Sequence, residues 1–545
     1  MANSRYEKLR ALVIDDFKQF NDTLCDMLAS FDLNDIDSTT TAARGLTTIS
    51  EHSYDLILCD YNLGLKRKNG QELLDQLKHE NRISDDTIFV MVTGEVDRQM
   101  VMASYDNPPD AYVVKPFNAK FLKKRLDRLL VRRDVLRAIK RATTQGHTKK
   151  AIDLCEQKIQ EGGRFSGECE RLLGCLYLES EHYKQAQQLY GRILKAREQS
   201  WAVVGLAQAD LHKGDQAAAG NTLEALINKD QYFMPAYDAL VDNYRETRQP
   251  IKVFQTLIRA AQVNPKSILR QQQLADEAEQ QADFYAAAYA HLACVELGTQ
   301  SCYDRVDDHI GLGRATTGLL AAKDERADQL CLKAMQTLEA LSKRGDNTPE
   351  HKTQLLLLLS QIHVGLKNIA KAETLLDRAE SILNKPGIKT EVETEVDWVQ
   401  ALSVNGKGDR SDEVLDLVLD RHEDDEEALE KLDKLLDQPR SKANRLKLAQ
   451  MNRNGIDLYK AKRYEEAVAV FVQTQHLFPN YMGVYLNLAQ TLNGAMREHG
   501  YDKELMLQCM ESLKRVEENT PPGHEQYARF IQLRNIARSL KLKQG

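Results

Sequence analysis

The sequence is poor in helix-breaking and aromatic residues. Its 545 residues include only 28 glycines and 12 prolines, and aromatic residues make up 6%. A large β-sandwich or β-barrel is rich in turns and in aromatic and β-branched residues, so these shortages favour a largely helical chain. No apolar run approaches the ~20 residues of a membrane-spanning helix, and residues 1–17 lack the apolar segment of a secretory signal. We therefore expect no membrane insertion.

An excess of positive charge and paired cysteines are missing as well. The formal net charge is −7, which argues against a protein that coats DNA, RNA or an anionic membrane. The nine cysteines are odd in number, are scattered along the chain and never form a C-x-x-C pair. A disulfide framework or a structural zinc site is therefore disfavoured. We expect small buried cysteine side chains in a reducing cytoplasm.

Two patterns meet near residue 130. Before it, short apolar runs alternate with amphipathic helices, which predicts a doubly wound, flavodoxin-like α/β domain over residues 1–130 with a five-stranded parallel sheet. Such a domain places its ligand site at the carboxyl ends of the strands. The predicted strands are Ala11–Ile14, Asn34–Ser38, Leu56–Cys59, Ile88–Val92 and Ala111–Val114.

After residue 116 the pattern is helical throughout. Asn118–Gln145 contains no glycine or proline and has apolar residues mostly three or four apart, so it predicts one helix that leaves the α/β domain and enters the next. Beyond it, small or apolar residues recur with a partner twelve positions later, as in Gly205 with Ala217 and Val241 with Val253. This recurrence indicates helix pairs that repeat at about 34 residues.

Two of these units carry a fuller signature that resembles tetratricopeptide repeats. The resemblance predicts an all-α superhelical array of such repeats over residues 131–437 and 438–545. Within it, Asp424–Asp437 is predicted to be an extra acidic helix and Gln438–Asn444 a linker. An α-solenoid of another type stays open. The signature residues are Leu173, Gly174, Tyr177, Tyr183, Ala186 and Tyr190 in one unit, and Gly455, Leu458, Tyr464, Ala467, Phe471 and Pro479 in the other.

Polar residues follow four of the predicted strands. Asp15 and Asp16 come after the first strand, Asp60 after the third, Thr93 after the fourth and Lys115 after the fifth. Because parallel strands end at one edge of a sheet, we expect these side chains to lie together. Three clustered carboxylates repel one another and favour a bound cation, and oxygen ligands suit Mg²⁺. A carboxylate held in this way can attack a phosphoryl group.

These residues resemble the receiver domain of bacterial two-component response regulators, over about residues 8–130. The resemblance implies that Asp60 accepts a phosphoryl group from a sensor histidine kinase. It also implies that Thr93 and Lys115 contact the phosphoryl oxygens. The matching residues beside the polar ones are Gly94, Tyr112, Pro116 and Phe117.

The same resemblance implies a magnesium site and a switch. Asp16 would bind Mg²⁺ directly, Asp15 through water, and Asp60 and the backbone carbonyl of Asn62 would complete the protein ligands. The other implied roles are a switch aromatic for Tyr112, tuning of phosphoryl hydrolysis for Asn62 and Glu95, and a cis peptide bond for Lys115–Pro116.

The loop after Asp60 departs from the family. Gly64 stands where family members usually have proline, the loop is longer before Gly70, and the basic run Lys66–Lys68 lies in it. A solvated loop and a docking patch for an acidic partner both stay open. Elsewhere, residues 307–309, Asp-Asp-His, are interpreted as polar surface positions of a helix rather than metal ligands.

The sequence contains no motif of an output enzyme or of a DNA-binding helix-turn-helix. We therefore expect a non-enzymatic, cytoplasmic response regulator whose repeats bind or release a protein partner. The alternative is a phosphate sink or competitor that docks on a histidine kinase and limits phosphotransfer to another regulator. RNA binding is disfavoured by the net acidity and by the lack of an aromatic–basic repeat. Homodimerisation stays open.

Overall fold

The N-terminal domain is a five-stranded parallel sheet with helices on both faces. The computed structural model describes residues 5–64, 68–94, 98–299, 301–345, 347–385 and 389–542. The strand order is β2-β1-β3-β4-β5, and every neighbouring pair is parallel. The elements are β1 (Arg10–Ile14), α1 (Lys18–Ala29), β2 (Asp35–Thr39), α2 (Ala42–Glu51), β3 (Leu56–Asp60), α3 (Gly70–His79), β4 (Ile88–Thr93), α4 (Arg98–Ala103) and β5 (Ala111–Val114).

The three central strands, β1, β3 and β4, form because their side chains are buried on both faces of the sheet. Leu58 and Val90 point to one core, which α1 and the helix after β5 cover, and Ile57 and Phe89 point to the other, which α2 and α3 cover. Each such fully buried side chain contributes roughly 1.5–3 kcal/mol. The predicted five-stranded parallel sheet is confirmed, and the strand limits agree within about one residue, the usual uncertainty of such assignments.

One helix joins the sheet domain to the helical region. Helix α5 (Ala119–Thr144) begins after Asn118, whose side chain accepts a hydrogen bond from the backbone N–H of Phe121 at 2.9 Å. Its first half packs into the core of the sheet domain, and Leu136 and Ile139 pack into the core of the first helix pairs. The predicted continuous helix is confirmed, and its 26 residues span about 39 Å.

The rest of the chain is helical in its described parts. Two compact units are formed, Met1–Leu274 with Ala293–Arg305, and Ala275–Leu292 with Val306–Gly545. The domain boundaries predicted at residues 130 and 437 stay predictions. The helices are α6 (Thr148–Glu161), α7 (Ser166–Glu179), α8 (Tyr183–Ala196), α9 (Ser200–Lys213), α10 (Gln216–Lys229), α11 (Met234–Glu246), α12 (Pro250–Val263), α13 (Ile268–Gln280), α14 (Phe284–Gly298), α15 (Val306–Ala321), α16 (Ala327–Ser342), α17 (Pro349–Gly365), α18 (Ile369–Leu383), α19 (Val392–Val404), α20 (Gly408–Arg421), α21 (Glu426–Leu432), α22 (Lys442–Lys460), α23 (Tyr464–Leu477), α24 (Met482–His499), α25 (Lys503–Asn519) and α26 (Tyr527–Leu542).

Small residues let the paired helices approach each other closely, as the repeat pattern predicts. A Cβ atom on Gly174 would lie 2.4 Å from the Tyr190 hydroxyl oxygen, and one on Gly455 would lie 2.5 Å from the ring of Phe471. An aromatic side chain of the second helix thus fills the notch left by the glycine of the first. This packing supports the resemblance of the helix pairs to tetratricopeptide repeats.

The predicted linker at residues 438–444 is wrong. After α21 the chain makes a 3₁₀ turn (Asp433–Leu435), and α22 already begins at Lys442. The buried Asp433 carboxylate accepts hydrogen bonds from the backbone N–H groups of Arg440 (2.5 Å) and Ser441 (3.2 Å) and from the Ser441 hydroxyl (2.5 Å). These bonds make the segment a fixed turn, and they shorten the predicted acidic helix.

The surface position predicted for residues 307–309 is also wrong for two of the three. Asp308 and His309 are buried, with 2% and 5% of their surface exposed. Asp308 faces Nδ1 of His291 at 3.4 Å, and Glu279 hydrogen-bonds Nε2 of the same ring at 2.9 Å. Burial opposes protonation of His291, but the two carboxylates outweigh it and raise its pKa to about 9.

Candidate functional site

Three carboxylates meet at the carboxyl edge of the sheet. Asp15 follows β1 and is fully buried, Asp60 ends β3 with 8% of its surface exposed, and Asp16 is open to solvent. One carboxylate oxygen from each residue lies within 4.8 Å of the others. The structure therefore brings these three side chains together, as the order of the strands predicts. Such an acidic pocket suits a divalent cation.

Lys115 provides the positive charge of the pocket. Its ammonium group lies 2.8 Å from Oδ2 of Asp15 and 3.3 Å from Oδ1 of Asp60. The same group lies 4.2 Å from the ring centre of Phe20, a cation–π contact that holds it in place. The peptide bond between Lys115 and Pro116 is cis, as predicted.

The environment makes Asp60 harder to ionise. Burial raises the pKa of its carboxyl to about 6; Lys115 opposes this rise, whereas the negative charges of Asp15 and Asp16 add to it. A cation bound among the three carboxylates would reverse this balance, because it favours their charged forms. The donor set therefore fits a hard divalent ion.

The backbone packs closely at Gly70, beside the predicted phosphoacceptor Asp60. A Cβ atom on Gly70 would lie 2.4 Å from the backbone oxygen of Asp60, so no side chain fits there. The Gly70 N–H donates to the backbone oxygen of Tyr61 at 2.8 Å and closes the loop. Asn62 is exposed in this loop. Its carbonyl as a metal ligand stays a prediction, and Glu95, like Lys66 and Arg67, lies outside the described residues.

The predicted switch residues lie on β4 and β5. Thr93 is buried at the end of β4, and its backbone oxygen accepts a hydrogen bond from the Lys115 N–H at 2.8 Å. The Tyr112 hydroxyl lies 2.6 Å from Oγ of the buried Ser104, just after α4. Burial raises the pKa of Tyr112. This bond ties the predicted switch aromatic to the segment that follows α4.

A set of ion pairs, which we call the ionic clamp and which the sequence analysis did not predict, joins α5 to the amino edge of the sheet. The aspartates that precede β3, β4 and β5 each pair with an arginine of α5, at 2.8–3.2 Å. Arg132 also pairs with Glu168 of α7 and so bridges the sheet domain and the first helix pair. The clamp pairs are Arg132 with Asp110, Arg133 with Asp55, and Arg137 and Arg141 with Asp86.

A second missed contact joins the segment after α4 to helices α11–α13, and we call it the α4 contact. The Tyr105 hydroxyl donates to Asp238 at 2.8 Å, and the buried Arg270 donates to the other oxygen of the same carboxylate at 2.9 Å. Ser267 donates to Asp106 at 2.6 Å. The contact is completed by the hydrogen bond from the Asn264 side chain to the backbone oxygen of Met102, at 2.9 Å.

A half-buried carboxylate of α3 joins the end of the acceptor loop to the segment after α4. Asp75 of α3 accepts hydrogen bonds from Gln71 (3.0 Å) and Asn107 (3.1 Å), and burial raises its pKa to about 6. Gln71 directly follows Gly70, which packs on Asp60. Asn107 also donates to the hydroxyl of Tyr303 in the helical region, at 3.1 Å. A chain of contacts therefore runs from the acceptor loop to the repeats.

Comparison with known proteins agrees with the geometry of the pocket. Residues 11–127 match the response regulator receiver domain family. Residues 11–127 form a receiver domain. This domain is similar to the regulatory protein VanRB of Enterococcus faecalis, at 30% identity over 131 residues, which is 24% of the chain and 55% of VanRB. It is 23% identical to the chemotaxis protein CheY-3 of Vibrio cholerae over 127 residues, 23% of the chain and 95% of CheY-3. The chain spans about half the length of VanRB.

Solved structures match the two regions separately. The beryllofluoride-activated DrrB receiver domain matches 22% of the chain and 97% of its own length, with 24% identity and a TM-score of 0.20. A tetratricopeptide repeat protein from Parabacteroides merdae matches 50% of the chain and 98% of its own length, with 13% identity and a TM-score of 0.25. In the described part of the chain, no helix is long and apolar enough to span a bilayer.

Proposed function

We propose that this chain is a cytoplasmic response regulator in which phosphorylation of Asp60 changes how the helical repeats bind a protein partner. The observation that carries the proposal is the pocket of Asp15, Asp16, Asp60 and Lys115 in a domain whose α4 segment is bonded to the repeats. A sensor histidine kinase would supply the phosphoryl group. The output would be binding rather than catalysis by this chain.

The pocket supports transfer of a phosphoryl group to a carboxylate. An ionised Asp60 oxygen would attack the phosphorus of a phosphohistidine, and the P–N bond would break as the new P–O bond forms. The electron pair of the broken bond stays on the histidine, which takes up a proton. Lys115, already 3.3 Å from Asp60, would stabilise charge on the phosphoryl oxygens, and Thr93 would donate its hydroxyl to them.

Mg²⁺ is the cation that the donor set fits best. Asp15, Asp16 and Asp60 would hold it, and its charge would offset the repulsion between the carboxylates and the incoming phosphoryl group. Three carboxylates face one ammonium group in the pocket, and this excess of acidic groups supports the assignment. The Asn62 carbonyl completes the proposed ligand set.

The two missed contacts supply a route to the output. The clamp on α5 fixes the first helix pair to the amino edge of the sheet. The α4 contact fixes α11–α13 to the segment after α4, to which the Tyr112 hydroxyl is bonded through Ser104. A phosphoryl group at Asp60 that pulls Thr93 toward it would alter the packing of Tyr112. The repeats would then move with the segment after α4, and their partner-binding surface would change.

Phosphoryl uptake tests the proposal directly. Incubation of the full chain with a small phosphodonor and Mg²⁺ should add one phosphoryl group by intact mass, and Asp60→Asn should abolish the addition because the acceptor oxygen is lost. Asp22→Asn, an exposed carboxylate on α1, is the matched control and should label normally. Equal labelling of the Asp60→Asn protein would refute the assignment of the acceptor.

A further inference from the structure

Helix α22 presents a basic stripe to solvent. It contains five basic residues and one acidic residue among 19, and its fully buried residues are only Leu448 and Gly455. Residues at spacings of three and four lie on one face of a helix, and here that face is exposed along its whole length. The basic stripe comprises Lys442, Arg445, Leu446, Ala449, Arg453, Ile456 and Lys460.

Nothing in the described part of the chain covers this stripe. Leu446 is 61% exposed and Ile456 is 38% exposed, although both are large apolar side chains. Among the described residues, Lys462 and Arg463 just after α22 form ion pairs, whereas the four cations of the stripe form none. A helix that only caps a repeat array needs a polar outer face and gains nothing from an exposed leucine between arginines. The mixture of cations and apolar side chains is typical of a surface that binds an acidic amphipathic helix.

Helix α20 of the same chain carries a complementary acidic stripe. Its 14 residues include five acidic and two basic residues, and Leu417 is 61% exposed on the same face. Glu413 pairs with Arg410 at 3.0 Å, and within the described part of the chain the other acids of α20 form no ion pair. The acidic stripe comprises Asp409, Asp412, Glu413, Asp416, Leu417 and Asp420.

We propose that the basic stripe of α22 binds the acidic stripe of α20 from a second copy of the chain. The two stripes are opposite in charge, each lies along one face of its helix (about 28 Å long for α22 and 21 Å for α20), and each has an exposed leucine among the charged positions. Because both leucines are exposed within one chain, the stripes do not cover each other intramolecularly. Each copy offers one stripe of each sign, so a two-fold dimer forms the contact twice.

The charge pattern sets how this dimer responds to salt. The charged side chains lie at the surface, where ion pairs are screened over about 10 Å at 0.1 M salt. Dimerisation should therefore weaken as salt is added, while burial of Leu417 and Leu446 contributes free energy of association that salt does not screen. The inference goes beyond the proposed function, because it requires neither phosphorylation nor the α4 contact.

Charge reversal and charge exchange on the full-length protein test the proposal. Molar mass in solution should show a dimer at low salt, and both Arg445→Glu/Arg453→Glu and Asp416→Lys/Asp420→Lys should weaken it by about tenfold or more, because attraction becomes repulsion. A mixture of the two variants should form a heterodimer, because both contacts of a mixed pair join opposite charges: one contact is the native pair, and the other joins the two reversed stripes. Lys149→Glu/Lys150→Glu on α6 gives the same charge change at exposed positions and should leave the dimer intact.

Each other outcome overturns the proposal. A wild-type chain that stays monomeric at low salt has no such contact, and binding of a foreign acidic protein by that monomer would assign the basic stripe to another occupant. A dimer that both reversals leave unchanged uses a different surface. Failure of the mixed variants to associate, with circular dichroism showing both folded, would show that the two stripes do not meet.

Discussion

At the scale of single residues, phosphoryl transfer depends on the ionisation of Asp60. Its carboxyl must be charged to attack phosphorus, yet burial and two neighbouring carboxylates raise its pKa to about 6. At limiting Mg²⁺, the initial rate of phosphoryl uptake should fall about tenfold as pH drops from 7.5 to 5, since the ionised fraction then falls by this factor. Intact mass at short times measures the rate.

Saturating Mg²⁺ should shift this decline in the rate of phosphoryl uptake to lower pH, because the bound cation favours the ionised carboxylates. The shift between the two profiles is the informative quantity, since titration of the phosphodonor affects both profiles alike. Identical profiles at low and high Mg²⁺ would argue against a cation among Asp15, Asp16 and Asp60.

The lifetime of the phosphoryl group is a second prediction at this scale. Asn62 and Glu95 are expected to flank the water that hydrolyses the acyl phosphate, which is the role that the resemblance to receiver domains implies for these two positions. The labelled chain should therefore lose its phosphoryl group within minutes after the donor is removed at neutral pH. A phosphorylated form that persists for many hours would contradict this role.

The pocket could be predicted from the sequence because each of its residues directly follows a buried strand. The alternation of strands and helices brings those strand ends together, so order along the chain was sufficient for Asp15, Asp60, Thr93 and Lys115. The partner of the Tyr112 hydroxyl could not be predicted in this way. Ser104 lies in irregular chain after α4, where no periodicity indicates the direction of a side chain.

At the scale of elements, α5 was predicted from its uninterrupted apolar spacing, but its ionic clamp was not. A signal was present in the sequence, because an aspartate precedes each of β3, β4 and β5, and the arginines Arg133, Arg137 and Arg141 lie four apart on the helix. Only the sheet order shows that these groups meet. The prediction of a linker after α21 was wrong for the same reason, since the contacts that Asp433 makes depend on how the chain turns back.

Insertion of Gly-Gly-Ser after Arg132 tests α5 as a rigid connection. Three flexible residues there break the helix between the two cores, whereas Asp60 should still take phosphate. In the wild-type chain, phosphorylation should change hydrogen exchange in α6–α8, and in the insertion variant this change should vanish. The same insertion after Gly214, in the turn between α9 and α10 where φ is +98°, is the control. An undiminished response in the Arg132 variant would rule out α5 as the transmitter.

At the scale of the whole molecule, the fold class was predictable and the docking of the receiver on the repeats was not. Glycines opposite aromatic residues fix the α7–α8 and α22–α23 pairs locally, so the repeat pattern appears in the sequence. The α4 contact joins Tyr105 to Asp238, 133 residues away, through side chains that also suit a solvated surface. No local pattern in the sequence specifies which helices such distant residues bring together.

Phosphorylation of Asp60 is expected to alter the repeats through the α4 contact, and this coupling is central to the proposed function. Hydrogen exchange of the full chain, with and without beryllofluoride and Mg²⁺, measures this most directly, with Asp60→Asn under the same salts as the control. We expect faster exchange in residues 102–110 and in α11–α13 of the wild-type chain, by about fivefold for each hydrogen bond of about 1 kcal/mol that is lost. Exchange there that stays unchanged while residues around Asp60 become protected would contradict the claim.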